Sequence, residues 1–154
     1  MTQRISIVNG MSGPFDALGN LGREVAKAAA GAGVGSRILE LVKIRASQLN
    51  GCAYCLDMHT ADALENGEVP RRLHVLAAWR ETDLYTGQER AALELTEVLT
   101  RLSDTNDVPD EVYEYATKVF TETQYQAVVW MVVVINAYNR VVLPGHPKLP
   151  KRAA

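Results

Sequence analysis

The sequence predicts an all-α fold, and three observations carry that prediction. Helix openings and stops are dense along the chain, with Ser, Thr or Pro at the starts and Asn-Gly or Pro-Gly at the ends. Apolar residues recur at three-to-four spacing, and no stretch alternates apolar and polar residues as a half-buried strand would. The 154 residues are 47% hydrophobic and 22% charged, a composition that folds and a length that buries a core without disulfides. The expectation is one compact helical domain over 1–154, with about six or seven helices between 14 and 142 and a tail at 143–154.

In order, Ile5 to Val8 reads as extended. Pro14 then opens a helix that runs through an alanine-rich segment and ends in Gly31-Ala32-Gly33-Val34-Gly35, read as a hinge. A phosphate-cradling loop needs a preceding strand and fuller spacing, and neither is present. Ser36 is the expected N-cap of the next helix, whose stripe holds Ile38, Leu41, Val42, Arg45 and Leu49 and whose end is Asn50-Gly51. A third helix carries the cysteines at its start, runs through Leu56, His59, Ala63 and Leu64, and stops at Asn66-Gly67. Pro70 opens a short one through Leu73, Leu76 and Trp79. Thr86 and Glu89 have capping-box spacing before a helix with Leu93, Leu95, Val98, Leu99 and Leu102. Pro109 begins the next, with Val112, Tyr115 and Val119. Thr121 and Gln124 repeat the capping pattern before the most apolar helix, from Tyr125 to about Val142. A helix that apolar belongs at the centre of the fold or in a subunit interface, and Trp79, Tyr125 and Trp130 are expected to fill core or interface.

Charge and pattern exclude several function classes. The formal net charge is -2 and the pI about 5.9, so no positive field gathers nucleic acid. The N-terminal residues lack a secretory apolar core, which predicts a cytoplasmic protein. The longest apolar run, Ala127 to Ile135, is far short of the roughly 20 residues of a membrane-spanning helix, so no membrane association is expected.

The two cysteines form Cys52-Ala53-Tyr54-Cys55, a spacing useless as a long-loop staple but suited to redox or metal chemistry. At roughly 100° per residue Cys52, Cys55 and His59 project within an arc of about 60°. Two thiols at i and i+3 can reach disulfide distance, and helix N-terminal N–H groups favour a thiolate. His59, one turn below Cys55, is an imidazole, the side-chain type best suited to move the thiol proton at neutral pH. Glu40 sits among Leu39, Leu41 and Ile44, and a carboxylate buried there needs a partner; the plainer reading is an acid near a helix start favouring the macrodipole. Asn136, Asn139 and Arg140 cluster in the last helix and read first as structural hydrogen-bonding groups. His74 reads as a surface or half-buried residue and His146 as part of the tail.

Glu40, eleven intervening residues, then Cys52-x-x-Cys55-x-x-x-His59 resembles the core motif of the alkylhydroperoxidase D and carboxymuconolactone decarboxylase-like family. The text from Leu41 to Cys55 is similar as well, and the resemblance is firm over about residues 36 to 67. It implies a thiol-dependent peroxidase and disulfide reductase of that helical type, acting on hydroperoxides. By position Cys55 would be the peroxidatic thiol, Cys52 the proton donor and resolving thiol, and His59 with Glu40 the proton relay. No bound cofactor is implied; an external dithiol, thioredoxin-like or lipoyl, would supply electrons. Members are commonly trimers or hexamers, so a homo-oligomer is expected. Two departures matter: Tyr54 stands where some peroxidase members have a histidine, and lactone decarboxylases of the same fold lack the cysteine pair. Three alternatives stay open: a zinc site of Cys52, Cys55 and His59 with Glu40 or His74, a redox-sensing helical interaction module, and a decarboxylase-like member without peroxidase turnover.

Overall fold

A computed structural model describes residues 4–151. Among them the backbone forms α1 (Ile7–Gly10), α2 (Ser12–Gly31), α3 (Ser36–Asn50), α4 (Ala53–Glu65), α5 (Pro70–His74), α6 (Gly87–Thr100), α7 (Leu102–Thr105), α8 (Asp110–Val119) and α9 (Glu122–Val142), with 3-10 stretches at Leu76–Glu81 and Leu143–Gly145. No described residue lies in a strand, so the all-α expectation holds. The six or seven expected helices are too few. The additional elements are short: α1 and the 3-10 turn at Leu143–Gly145 are new, the helix expected from Pro70 through Trp79 divides into α5 and the 3-10 stretch at Leu76–Glu81, and Leu102, expected in the helix after Thr86, opens the separate one-turn α7.

Three local expectations are corrected. Ile5 to Val8 is not wholly extended: the Ser6 hydroxyl accepts from the Asn9 N–H and caps α1, whose first residue is Ile7. Ser36 is the first helical residue of α3, and Gly35 is its N-cap without a side-chain bond. The last helix starts at Glu122, just after its Thr121 cap, rather than at Tyr125. Both capping boxes form as expected, Thr86 with Glu89 and Thr121 with Gln124. Gly51 adopts φ 70°, a left-handed conformation that costs glycine least, and ends α3 at the expected place.

Two apolar clusters meet on α3. On one side Leu39 and Val42 join Val25 and Ala29 of α2, Leu95 of α6, Ala116 of α8, and Val128 and Val132 of α9. On the other Leu41 and Ile44 join Ala63 of α4 with Leu73, Leu76, Trp79 and Leu93. α3 is therefore enclosed by α4, α6 and α9, which is why a carboxylate in its middle is buried. By length and composition α9 is apolar enough to cross a membrane. Here it packs on α2, α3, α6 and α8, burying Val128, Met131, Val132 and Ile135. Its opposite face stays open: Trp130 is 49% exposed, and Val133 is also exposed. Of the three expected core or interface aromatics, only Trp79 is buried.

Charged groups buttress the second cluster. Glu97 of α6 accepts from Arg45 Nε at 2.7 Å and from Trp79 Nε1 at 2.8 Å, and pairs with Arg80. Arg72 of α5 pairs with Glu89 of α6 and with Glu68, and its guanidinium lies over the Tyr85 ring.

Candidate functional site

The site is built on the turn from α3 to α4. Cys52 N–H donates to the Ser47 carbonyl at 3.0 Å, and Gly51 N–H to that of Gln48. The end of α3 is tied to α9 by side chains: Asn50 Nδ2 donates to Asn139 Oδ1 at 2.8 Å and to Asn136 Oδ1 at 3.0 Å. Asn139 Nδ2 donates to Ser47 Oγ at 3.1 Å. Asn139 is fully buried, and Arg140 bonds back to Asn136. The polar cluster of the last helix thus holds the cysteine-bearing turn in place, the structural reading of those residues.

Cys52 is the N-cap of α4, and Cys55 is its third residue. The Cys55 N–H donates to Cys52 Sγ at 3.4 Å, and the two sulfurs are joined in a disulfide with Cα atoms 5.4 Å apart. Both cysteines are buried. The i, i+3 placement at a helix start therefore delivers the pairing that the spacing allowed.

Glu40 rises from α3 toward His59 of α4. Glu40 Oε2 is 3.2 Å from His59 Nδ1, at contact distance though not aligned as a hydrogen bond. Glu40 lies beyond the first turn of α3, so the macrodipole reading is set aside. Its other oxygen, Oε1, accepts from Lys43 Nζ at 2.6 Å. Burial raises the Glu40 carboxyl pKa, but the His59 imidazole and the Lys43 ammonium more than offset it and hold it below the ordinary value. Glu40 is therefore an ionised carboxylate at neutral pH, oriented by two neighbours.

Cys55 and His59 both line a cavity of about 460 Å³ between α2, α4 and α9. Its walls are mainly apolar, with Phe15, Met58, Met131, Ile135 and Tyr138 prominent, and Lys43 reaches it. Such a space suits a molecule with an apolar body brought to a thiol and an imidazole.

All four residues singled out in the sequence, Glu40, Cys52, Cys55 and His59, belong to this one α3–α4 unit. His74 does not: it is exposed on α5. The bridged cysteines cannot ligate zinc as thiolates in this state, so the cysteine-based zinc set is not assembled here. Sequence reasoning missed two neighbours. Lys43 is three residues from Glu40, and Asp62, whose Oδ2 is 3.6 Å from His59 Nδ1, is three from His59. Helical i, i+3 spacing was the available signal in both cases.

The family model described as the carboxymuconolactone decarboxylase family matches residues 16–98, a span that contains Glu40, Cys52, Cys55 and His59. The uncharacterized protein YdfG of Bacillus subtilis (strain 168) is 48% identical over 102 residues, 66% of this chain and 69% of that protein. A crystal structure from Agrobacterium tumefaciens matches with a TM-score of 0.86 and 27% identity, covering 98% of this chain and 100% of that one. It is described as a protein of unknown function and a candidate antioxidant defence protein AhpD.

Proposed function

Because the chain belongs to the carboxymuconolactone decarboxylase family, we propose that it works as a thiol-dependent peroxidase and disulfide reductase of the alkylhydroperoxidase D-like kind. Cys55 is the peroxidatic thiol, Cys52 resolves it, and His59 with Glu40 moves the protons. The observation that carries this reading is that Cys55 and His59 line one apolar cavity while His59 Nδ1 rests against the Glu40 carboxylate.

In the reduced protein His59 takes the Cys55 proton, and Glu40 steadies the imidazolium that results. The thiolate attacks the terminal peroxide oxygen, the O–O bond breaks, and the alkoxide leaves as alcohol with that proton. Cys55 is left as a sulfenic acid. Cys52 sulfur then attacks Cys55 sulfur, hydroxide leaves and takes up the Cys52 proton as water, and the disulfide forms. An external dithiol returns two electrons and two protons by thiol–disulfide exchange and becomes a disulfide itself. The Cys52–Cys55 bridge fits the oxidised end of this cycle. No bound cofactor enters it.

The apolar cavity favours organic hydroperoxides. A thioredoxin-like or lipoyl dithiol is the matching donor class. The exposed face with Trp130 and Val133 supports a homo-oligomer, a trimer or hexamer, and a dithiol-driven cycle suits a single domain working in the reducing cytoplasm. The test is steady-state consumption of cumene hydroperoxide and of hydrogen peroxide with a panel of dithiol donors. Turnover dependent on donor and on Cys55 supports the proposal. Disulfide formation without turnover on any donor points to a redox sensor instead.

A further inference from the structure

We propose that Glu40, His59 and Asp62 form a binding site for a divalent transition-metal ion of the zinc class, beside the cysteine pair but independent of it. One potential ligand atom from each of Glu40, His59 and Asp62 lies within 4.8 Å of the other two. The measured edges are 3.2 Å from Glu40 to His59 and 3.6 Å from His59 to Asp62. Ligand bonds of 2.0–2.1 Å in tetrahedral geometry place neighbouring donors about 3.3 Å apart. The two edges at His59 are those of ligands around one small ion, and the third is short enough for one ion to draw the part-exposed Asp62 in.

Two of the three donors face each other at 3.2 Å without an aligned hydrogen bond between them. Glu40 and His59 are each more than nine-tenths buried, and neither Glu40 Oε2 nor His59 Nδ1 makes an aligned hydrogen bond. Buried polar atoms in that state are costly, and a shared ion removes the cost. One imidazole nitrogen with two carboxylate oxygens suits zinc, cobalt or nickel better than calcium or magnesium, which prefer all-oxygen shells. Asp62, with its side chain 45% exposed, provides the route from solvent.

Lys43 acts in both directions. Its ammonium engages only Oε1 of Glu40, so Oε2 stays directed at His59, and it keeps the carboxyl ionised as a ligand must be. Its positive charge also opposes the ion, which sets the affinity below that of a closed four-ligand structural site. The ion would occupy Glu40 Oε2 and His59 Nδ1, the atoms through which the two relay residues meet. Under the peroxidase reading it is therefore an inhibitor of thiol activation; the binding itself does not depend on that reading.

The experiment uses the oxidised protein, whose disulfide removes both thiols as ligands. Co²⁺ is titrated by visible absorption and Zn²⁺ by calorimetry and by displacement of Co²⁺. One equivalent should bind, without thiolate-to-metal charge transfer. Asp62→Asn, at a part-exposed position, should weaken binding at least about tenfold, the loss seen even for changes outside the ligand shell. His59→Gln should weaken it further, while the His74→Gln, His146→Gln double variant should bind as the parent does. No binding to the oxidised protein, parental affinity in Asp62→Asn, or loss of binding in the His74/His146 variant would each overturn the proposal. Failure of peroxide turnover would leave these results untouched and bear only on the function.

Discussion

Glu40 and His59, nineteen residues apart on consecutive helices, meet with Oε2 and Nδ1 3.2 Å apart at the wall of the cavity that Cys55 shares. The contact exists because α3 is enclosed on both sides by apolar residues. A carboxylate in the middle of such a helix has only the facing helix and its own next turn to turn to, and it finds His59 on one and Lys43 on the other.

If the pair acts as one relay, Glu40→Gln and His59→Gln should each slow peroxide-driven oxidation of the reduced protein by about 10²–10⁴-fold. Groups that act as a unit are not additive, so the double variant should be little slower than the slower single one. Stopped-flow tryptophan fluorescence, with melting temperature followed in parallel, checks this. Near-parental oxidation in Glu40→Gln would return Glu40 to a purely structural role.

The two cysteines should differ. Cys52→Ser should undergo one oxidation and stall with a sulfenic acid on Cys55, whereas Cys55→Ser should consume no peroxide. Labelling with a sulfenate-specific probe followed by peptide mass spectrometry distinguishes them. Label on Cys52 in the Cys55→Ser protein, with none on Cys55 in the reciprocal variant, would reverse the assignment.

The chain announces the site more clearly than it announces its surroundings. Residue types at i, i+3 and i+7 place Cys52, Cys55 and His59 on one helical face without any tertiary knowledge, and the Thr86 and Thr121 capping boxes are local enough to read directly. What stayed hidden depends on neighbours far along the chain. The Asn50–Asn139–Ser47 link joins groups about ninety residues apart. Lys43 and Asp62 are a different case: each stands at i, i+3 from its partner, a local signal, but gains its meaning only when α3 and α4 bring Glu40 to His59. Ser36 lost its expected capping role to Gly35 because a good capping residue one position late is simply a first-turn residue. The one-turn helices α1 and α7 are too short for any periodicity to betray them.

Asn139 is expected to be costly to remove. Asn139→Ala takes from the buried Ser47 hydroxyl its Asn139 donor, at about 1–3 kcal/mol, leaves Asn50 with Asn136 alone, and loosens the turn that carries Cys52. Urea unfolding measures the first effect, and the rate of disulfide reduction by a small dithiol measures the second, which should rise.

Glu97 predicts a pH signature. Burial raises its pKa, but Arg80, Trp79 and Arg45 outweigh that and hold it below the ordinary 4.5. A depressed carboxyl contributes stability that is present above about pH 4.5 and is lost as pH falls through the lower folded value. Glu97→Gln should therefore cost roughly 1.5–3 kcal/mol at pH 7, the worth of a charged hydrogen bond, and progressively less in acid. Melting temperatures from pH 7 down to 3 should converge for parent and variant. Parallel curves would contradict the assignment.

The most direct test is a single turnover. The fully reduced protein is mixed with one equivalent of cumene hydroperoxide, and the alcohol formed and the Cys52–Cys55 disulfide formed are quantified together by chromatography and mass spectrometry. A peroxidase working through Cys55 forms one alcohol per disulfide, with both absent in Cys55→Ser. Thiols that stay reduced while the peroxide persists, or a disulfide that appears without its equivalent of alcohol, would contradict it.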